Sequence, residues 1–349
     1  MWYCLPERVK NPDYERKVHD ILAAFQIEYE KFRFDYKIVM GKSIREISEK
    51  NAYVSFIKSI HQRMRINNIY FVKPEDVATY EEYEYILNEL SDIHKKGDPL
   101  DERVLAYCQP VFNLKTGKYD TAEALMRLNL PGKGMIFPDK FIPLAEANGY
   151  IHNLTEIILR KTCEEIKNLI REEYEVNRIS VNVSMLEMRE EEFTGDISRI
   201  IAESGIPEGS IAIEITESQS ENDFMLLKDK IGVLKNKGIK FYLDDFGTGY
   251  SNMERILELP FDIIKFDRSL VLASDASKRS EKMVGSLASM FANLEYSVLY
   301  EGIETQGDEE RCVNMSASYL QGYKYSRPVP IAELRNFFSK AGKNTCIFQ

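Results

Sequence analysis

From about residue 100 onward, short apolar runs alternate with segments of helical spacing. Eight runs read as strands: VLAYCQPVF (104–112), TAEALMRL (121–128), RISVNVS (178–184), SIAIEIT (210–216), KFYLDDF (240–246), DIIKFD (262–267), SVLYEGI (297–303) and a short one near SYLQG (318–322). Helical periodicity fills most of the gaps, as in FIPLAEANGYIHNLTEIILRKTCEEIKNLI and in FMLLKDKIGVLKNKG, where Gly238 is a natural C-cap. Only Asn113 to Lys118 join the first two strands, with Thr116-Gly117 as a turn signal. That is too short for a crossover helix, so the first pair is expected to be antiparallel. The pattern predicts an α/β fold, a modified (β/α)8 TIM-like barrel.

Upstream, residues 1–72 read as a small α+β segment: a helix (13–32), the strand FRFDYKIVMG, a helix (50–65) and the strand NNIYFV. Residues 73–99 read as an acidic helical linker ending at Gly97-Asp98-Pro99, and residues 100–349 as the barrel.

The polar residues within these strands change the picture from fold to chemistry. Glu123 sits inside TAEALMRL, Asn182 in VNVS, Glu214 in IEIT, Asp244 and Asp245 after FYL, Lys265 in IIKF, Glu301 after VLY and Gln321 in LQGY. Any one acid at a strand end is usually a solvated cap or a helix N-cap. Repeated around one barrel, these positions converge on a single mouth. Carboxylates so crowded cannot all stay ionised without cations. Oxygen donors from Asp, Glu and Asn suit Mg2+ or Mn2+ rather than zinc. The adjacent Asp pair suits two metals, the arrangement that stabilises both the attacking and the leaving oxygen of a phosphoryl displacement. His19, His61, His94 and His152 lie outside this set and read as ordinary surface or partly buried residues.

The formal net charge of −10 argues against a protein that grips a nucleic-acid polymer by its backbone. Five cysteines without a C-x-x-C pair give no disulfide framework, and a reducing cytosol is their simplest home. No apolar run reaches the length of a membrane span, and MWYCLPERVK lacks a signal-peptide pattern. A cytoplasmic protein, or the cytoplasmic part of a longer and membrane-anchored one, is expected.

The motifs QPVFNLKTG, AEALMRL, FPDKFIPLAEANGYI, SVNVS, IEITES, LDDFGTGYSN, LPFDIIKFDRSLV, YEGIET and LQGYKYSRP, spread over residues 100–340, resemble the EAL-domain phosphodiesterases that linearise cyclic di-GMP. The resemblance implies Glu123, Asn182, Glu214 and Asp244 as ligands of a first metal, with Asp244 bridging and Asp245 on the second. It implies that Lys265, Glu301 and Gln321 hold the attacking water, that Glu217 braces the DDFGTGYS loop, and that Gln109, Leu125 and Arg127 contact the dinucleotide. Asp267 and Glu304 are further substrate-contact candidates, each also readable as a helix-start acid. Two Mg2+ or Mn2+ ions, inhibition by Ca2+, a homodimer through the barrel and an upstream sensor domain follow from the same likeness. Ser251-Asn252, Phe266 and Tyr300 depart from the family's usual residues without removing a proposed ligand. Residues 1–72 resemble the last portion of a GGDEF diguanylate-cyclase domain without its signature. Two functions stay open at this point: hydrolysis of cyclic di-GMP to pGpG, or a catalytically silent receptor that binds it and signals through the N-terminal half.

Overall fold

The computed structural model describes residues 16, 20–21, 23–24, 37–40, 56–61, 64–66, 68–216, 221–248 and 253–341. Two compact units divide between Ile86 and Leu87. In the first, strands β1 (Lys37–Met40) and β2 (Asn68–Phe71) pair in parallel. Phe56, Ile57, Ile60, Met64 and Tyr80 form its buried cluster, with the Phe56 and Tyr80 rings edge to face at 5.3 Å. Helix α1 (Pro74–Lys96) begins where Asp76 accepts hydrogen bonds from Lys73 N at 2.8 Å and Tyr70 Oη at 3.0 Å. Most of the expected helix 13–32 and part of the helix 50–65 lie outside the described residues.

The second unit is a closed barrel. Its strands are β3 (Val104–Asn113), β4 (Lys118–Leu130), β6 (Arg178–Asn182), β7 (Ile211–Thr216), β8 (Lys240–Phe246), β9 (Ile263–Phe266), β10 (Ser297–Tyr300) and β11 (Tyr319–Leu320). They ring in the order β3, β4, β6, β7, β8, β9, β10, β11 and back to β3. β3 is antiparallel to both neighbours and every other pair in the ring is parallel. The eight runs legible in the sequence are these eight strands. Two short strands were not legible: β5 (Gly134–Ile136), antiparallel to β4, and β12 (Val329–Pro330), antiparallel to β3. β5 is three residues long and β12 carries a proline, so neither has enough alternation to register.

Helices α2 (Pro138–Ala147), α3 (Ile151–Arg171), α4 (Phe193–Ser204), α5 (Glu221–Lys235), α6 (Met253–Glu258), α7 (Arg268–Ala276), α8 (Lys278–Asn293) and α9 (Gln306–Asn314) complete the unit. The single helical run expected over FIPLAEANGYIHNLTEIILRKTCEEIKNLI is two helices, because Gly149 adopts a left-handed φ of 73° that α-helix cannot continue. Gly238, by contrast, does close α5, with φ 80° and its N–H on Lys235 O at 2.9 Å. Among the described residues no helix is long and apolar enough to cross a membrane.

The barrel interior follows a simple rule. Val111, Ala212, Tyr242, Ile263 and Leu299 form a buried apolar layer that Tyr319 packs against. Side chains on a strand alternate faces with period two. The inward position one step further toward the mouth is therefore Gln109, Glu214, Asp244, Lys265, Glu301 and Gln321 on the same strands or just beyond them. The apolar plug and the polar layer are consecutive floors of one barrel.

A carboxylate cup around one lysine

Lys265 Nζ is the centre of that polar floor. It lies 2.5 Å from Glu214 Oε2, 2.9 Å from Asp244 Oδ1, 2.9 Å from Glu301 Oε1 and 3.3 Å from Glu123 Oε2. Both Lys265 and Glu214 are only 1% exposed. Burial alone would lower the lysine's pKa, but the four carboxylates outweigh it and hold it well above the ordinary value. Lys265 is thus a fixed cation.

The carboxylates differ among themselves. Burial would raise Glu123, but the Lys265 charge and hydrogen bonds from Gln321 Nε2 at 2.8 Å and Asn182 Nδ2 at 2.9 Å keep it below its usual range. Glu214 is raised well above that range by burial and by the Glu123 charge. Glu301 is pushed up to about 8, again mainly by burial, against the opposing pull of Lys265 and with the Asp244 and Glu123 charges adding to the rise. One ammonium does not neutralise this set, and the upward shifts at Glu214 and Glu301 follow from that deficit of positive charge together with burial.

Each residue reaches the cup for a local reason. Glu123 is in mid-strand on β4, not at its end. It reaches the rim because β4 pairs with β6 only through Thr121–Ala124, and the rest of β4 continues past the ring as a ribbon with β3 and β5. Asn182 and Glu214 sit opposite each other on β6 and β7. Glu301 follows β10, its N–H on Phe266 O at 3.0 Å, and Gln321 follows β11, its N–H on Tyr300 O at 2.9 Å. The reversed strand β3 delivers Gln109, whose Oε1 accepts from Gln321 Nε2 at 3.1 Å while its own Nε2 donates to Ser326 O at 2.9 Å. Gly322 has no room for a side chain: a Cβ there would stand 2.1 Å from Ile303 O.

Asp244 and Asp245 are neighbours on one strand, so plain alternation would point them to opposite faces. The register between β8 and β9 slips by one residue between Leu243 and Phe246, a β-bulge opposite Lys265. Asp245 takes a left-handed φ of 56° within it. The bulge brings carboxylate oxygens of Asp244, Asp245 and Glu301 within 4.8 Å of one another, the spacing of a metal-ion ligand set. Gly247 follows at φ 107°, where a Cβ would meet Leu270 at 2.6 Å.

Two buried oxygens in the cup lack hydrogen-bond donors. Asp244 Oδ1 touches Lys265 as a charge without a directed hydrogen bond, and Gln321 Oε1 has no partner among the described residues. Unsatisfied oxygens in an all-oxygen cluster, with no imidazole or thiolate among them, fit hard divalent cations. Glu123, Asn182, Glu214, Asp244, Asp245 and Glu301 are the residues that could hold such ions.

The other expected site residues divide. Leu125 and Arg127 share Glu123's face of β4, on the ribbon beyond the ring. Arg127 donates to Met126 O at 2.7 Å and lies over the Phe137 ring at 5.2 Å and the Tyr107 ring at 5.9 Å. Asp267 caps α7, accepting from Ser269 N at 2.8 Å. Glu304 pairs with Arg268 rather than with the Lys265 cluster. Glu217 lies outside the described residues. The aromatics Tyr107 and Phe137 beside Arg127 were not singled out in the sequence. Alternation on β3 offered Tyr107 as Gln109's companion two residues away, but strand pairing alone places it opposite Leu125.

Comparison with known proteins agrees with this architecture. A phosphodiesterase solved in complex with c-di-GMP, PaMucR, superposes with a TM-score of 0.65 at 25% identity, over 71% of this chain and 99% of that one. Cyclic di-GMP phosphodiesterase NbdA of Pseudomonas aeruginosa is 30% identical over 68% of this chain and 30% of its own length. Oxygen sensor protein DosP of Escherichia coli is 32% identical over 66% of this chain and 29% of its own length. The chain thus spans under a third of the length of these two curated relatives. Residues 99–328, which build the ring and every described member of the cup, match the EAL domain model, and the chain belongs to the EAL domain family.

Proposed function

We propose that the barrel hydrolyses one phosphodiester bond of cyclic di-GMP, giving linear pGpG, with two Mg2+ or Mn2+ ions held in the cup. The observation that carries this reading is the convergence of Glu123, Glu214, Asp244 and Glu301 on Lys265 at the barrel mouth. The names of NbdA and of the PaMucR complex supply the substrate class.

Glu123, Asn182, Glu214 and Asp244 would hold one ion, with Asp244 shared and Asp245 on the other. Such ions stabilise charge on the attacking and leaving oxygens of a phosphoryl displacement. Lys265, held charged, is an acceptor for no proton; it orients a water by donation and offsets charge as the bond breaks. Glu301, with its raised pKa, and Gln321, whose Oε1 is unpartnered among the described residues, complete the water's surroundings. Arg127 suits a phosphate through its planar fork, and Gln109 and Leu125 line the same approach. Asp267 and Glu304 contact substrate only if they leave the cap and the Arg268 pair. Glu217 is assigned the bracing of the loop after β8. Ca2+, larger and less demanding in geometry, should bind without supporting turnover.

The deciding experiment is chromatography of cyclic di-GMP incubated with the protein and Mg2+ or Mn2+. The expected result is pGpG with either ion and none with Ca2+. A folded protein that binds the dinucleotide but releases no pGpG would establish the silent receptor instead.

A further inference from the structure

A second polar cluster lies on the flank of the barrel, where α3 packs beside α4. His152 and Glu156 are four residues apart on α3 and therefore share a face, and Asp196 comes from the first turn of α4. One ligand atom from each of the three lies within 4.8 Å of the others. His152 Nε2 stands 3.5 Å from Asp196 Oδ2, whose other oxygen is taken by Arg199 Nη2 at 2.6 Å. Arg199 also approaches Glu156 Oε1 at 3.8 Å, so it steadies both carboxylates from outside.

The second observation lies behind the imidazole. Glu187, in the one-turn helix Glu187–Arg189, is only 1% exposed. Its Oε2 accepts from Thr155 Oγ1 and from Ser184 N, both at 3.0 Å. Among the described residues its Oε1 has no hydrogen-bond partner, and it faces His152 Nδ1, itself buried and unpartnered among them, across 3.5 Å. A buried carboxylate oxygen left without a donor is costly unless a cation or an imidazole N–H answers it. The cluster opens into a cavity of about 490 Å3 that Glu190 and Glu192 also line. Negative charge there exceeds what Arg199 and Lys230, which lies beside Glu190 and Glu192, offset.

We propose that this cluster binds a transition-metal ion of the zinc class, with His152 Nε2, Glu156 and Asp196 as ligands. Glu187 holds Nδ1 protonated and turns Nε2 to the ion, the carboxylate–imidazole–metal relay by which proteins orient a ligating histidine. The imidazole separates this site from the oxygen-only cup: it selects Zn2+, Co2+ or Ni2+ over Mg2+ or Ca2+. The ion ties the start of α3 to the start of α4.

The test is Zn2+ uptake by equilibrium dialysis in excess Mg2+, with Co2+ absorption as a report of imidazole coordination and thermal unfolding as a report of folding. The chain should retain one Zn2+ that survives Asp244→Asn in the cup. His152→Gln and Asp196→Asn should each abolish it, and Glu187→Gln should weaken it by about 10- to 100-fold. Zn2+ should raise the melting temperature of the parent and of Asp244→Asn, but not of His152→Gln. Uptake unchanged in His152→Gln and Asp196→Asn, uptake lost through Asp244→Asn alone, or no uptake in excess Mg2+ would each overturn the assignment. Should one variant fail to fold, Glu156→Gln gives the same reading.

Discussion

Lys265 Nζ and Glu214 Oε2 stand 2.5 Å apart, both side chains 1% exposed, at the point where three further carboxylates converge. A buried charge pair of this kind adds little to stability when whole and is costly when halved.

Lys265→Met keeps the length of the side chain and removes its charge, leaving Glu123, Glu214, Asp244 and Glu301 facing one another. In chelator the variant should lose about 3–5 kcal/mol of stability. Mg2+ should restore part of that loss, since a divalent ion replaces the missing cation. Urea unfolding with EDTA and with Mg2+ measures both, and a loss that Mg2+ leaves untouched would contradict the cup as an ion site.

Asp244→Ala and Glu304→Ala should part company. Asp244 faces the cluster from the bulge, and its loss should lower turnover on the order of a thousandfold, as expected when several kcal/mol of metal-borne stabilisation disappear. Glu304 pairs with Arg268 on the surface, and its loss should cost less than about tenfold. Equal effects in the pGpG assay would remove the bridging role from Asp244.

Divalent-ion binding should release protons. Burial raises Glu301 to about 8, which leaves it mostly protonated at pH 7 until an ion binds, whereas a ligating carboxylate must be ionised. Affinity should therefore rise from pH 6 toward about 8 and level off above it. Calorimetric titration of Mg2+ in buffers of differing ionisation enthalpy reads the proton count. Heats independent of buffer at pH 7 would mean the carboxylates were already ionised.

Asp262 offers a stability switch away from the cup. Burial would raise its pKa, but Lys235 Nζ at 2.9 Å, Phe241 N at 2.9 Å and Lys240 Nζ at 3.1 Å hold it below the ordinary value. A depressed carboxylate stabilises the fold above its unfolded pKa of about 3.9 and loses that contribution as pH falls through the lower folded value. Asp262→Asn should cost about 1–2 kcal/mol at pH 7, and the gap from the parent should close below about pH 4. Urea unfolding at the two pH values decides it, and a gap unchanged at low pH would rule out the charge as its origin.

The floor plan of the barrel is legible along the chain. Eight apolar runs, the short link after Asn113 and the recurrence of a polar residue two positions beyond an inward apolar one (Tyr242 then Asp244, Ile263 then Lys265) are local facts, because side-chain alternation is fixed within a single strand. How those strands meet is settled by long-range packing. The bulge that turns Asp245 toward its neighbour depends on register with β9, which no stretch of β8 encodes alone. Ring closure by the reversed strand β3 joins Gln109 to Gln321 across 212 residues. Glu123 reaches the rim because β6 ends beside it, and His152 gained its partners when the start of α3 came against Glu187 and Asp196. Spacing along a chain sets which face a side chain takes, whereas distances between strands and helices arise only when long-range packing fixes register and closure.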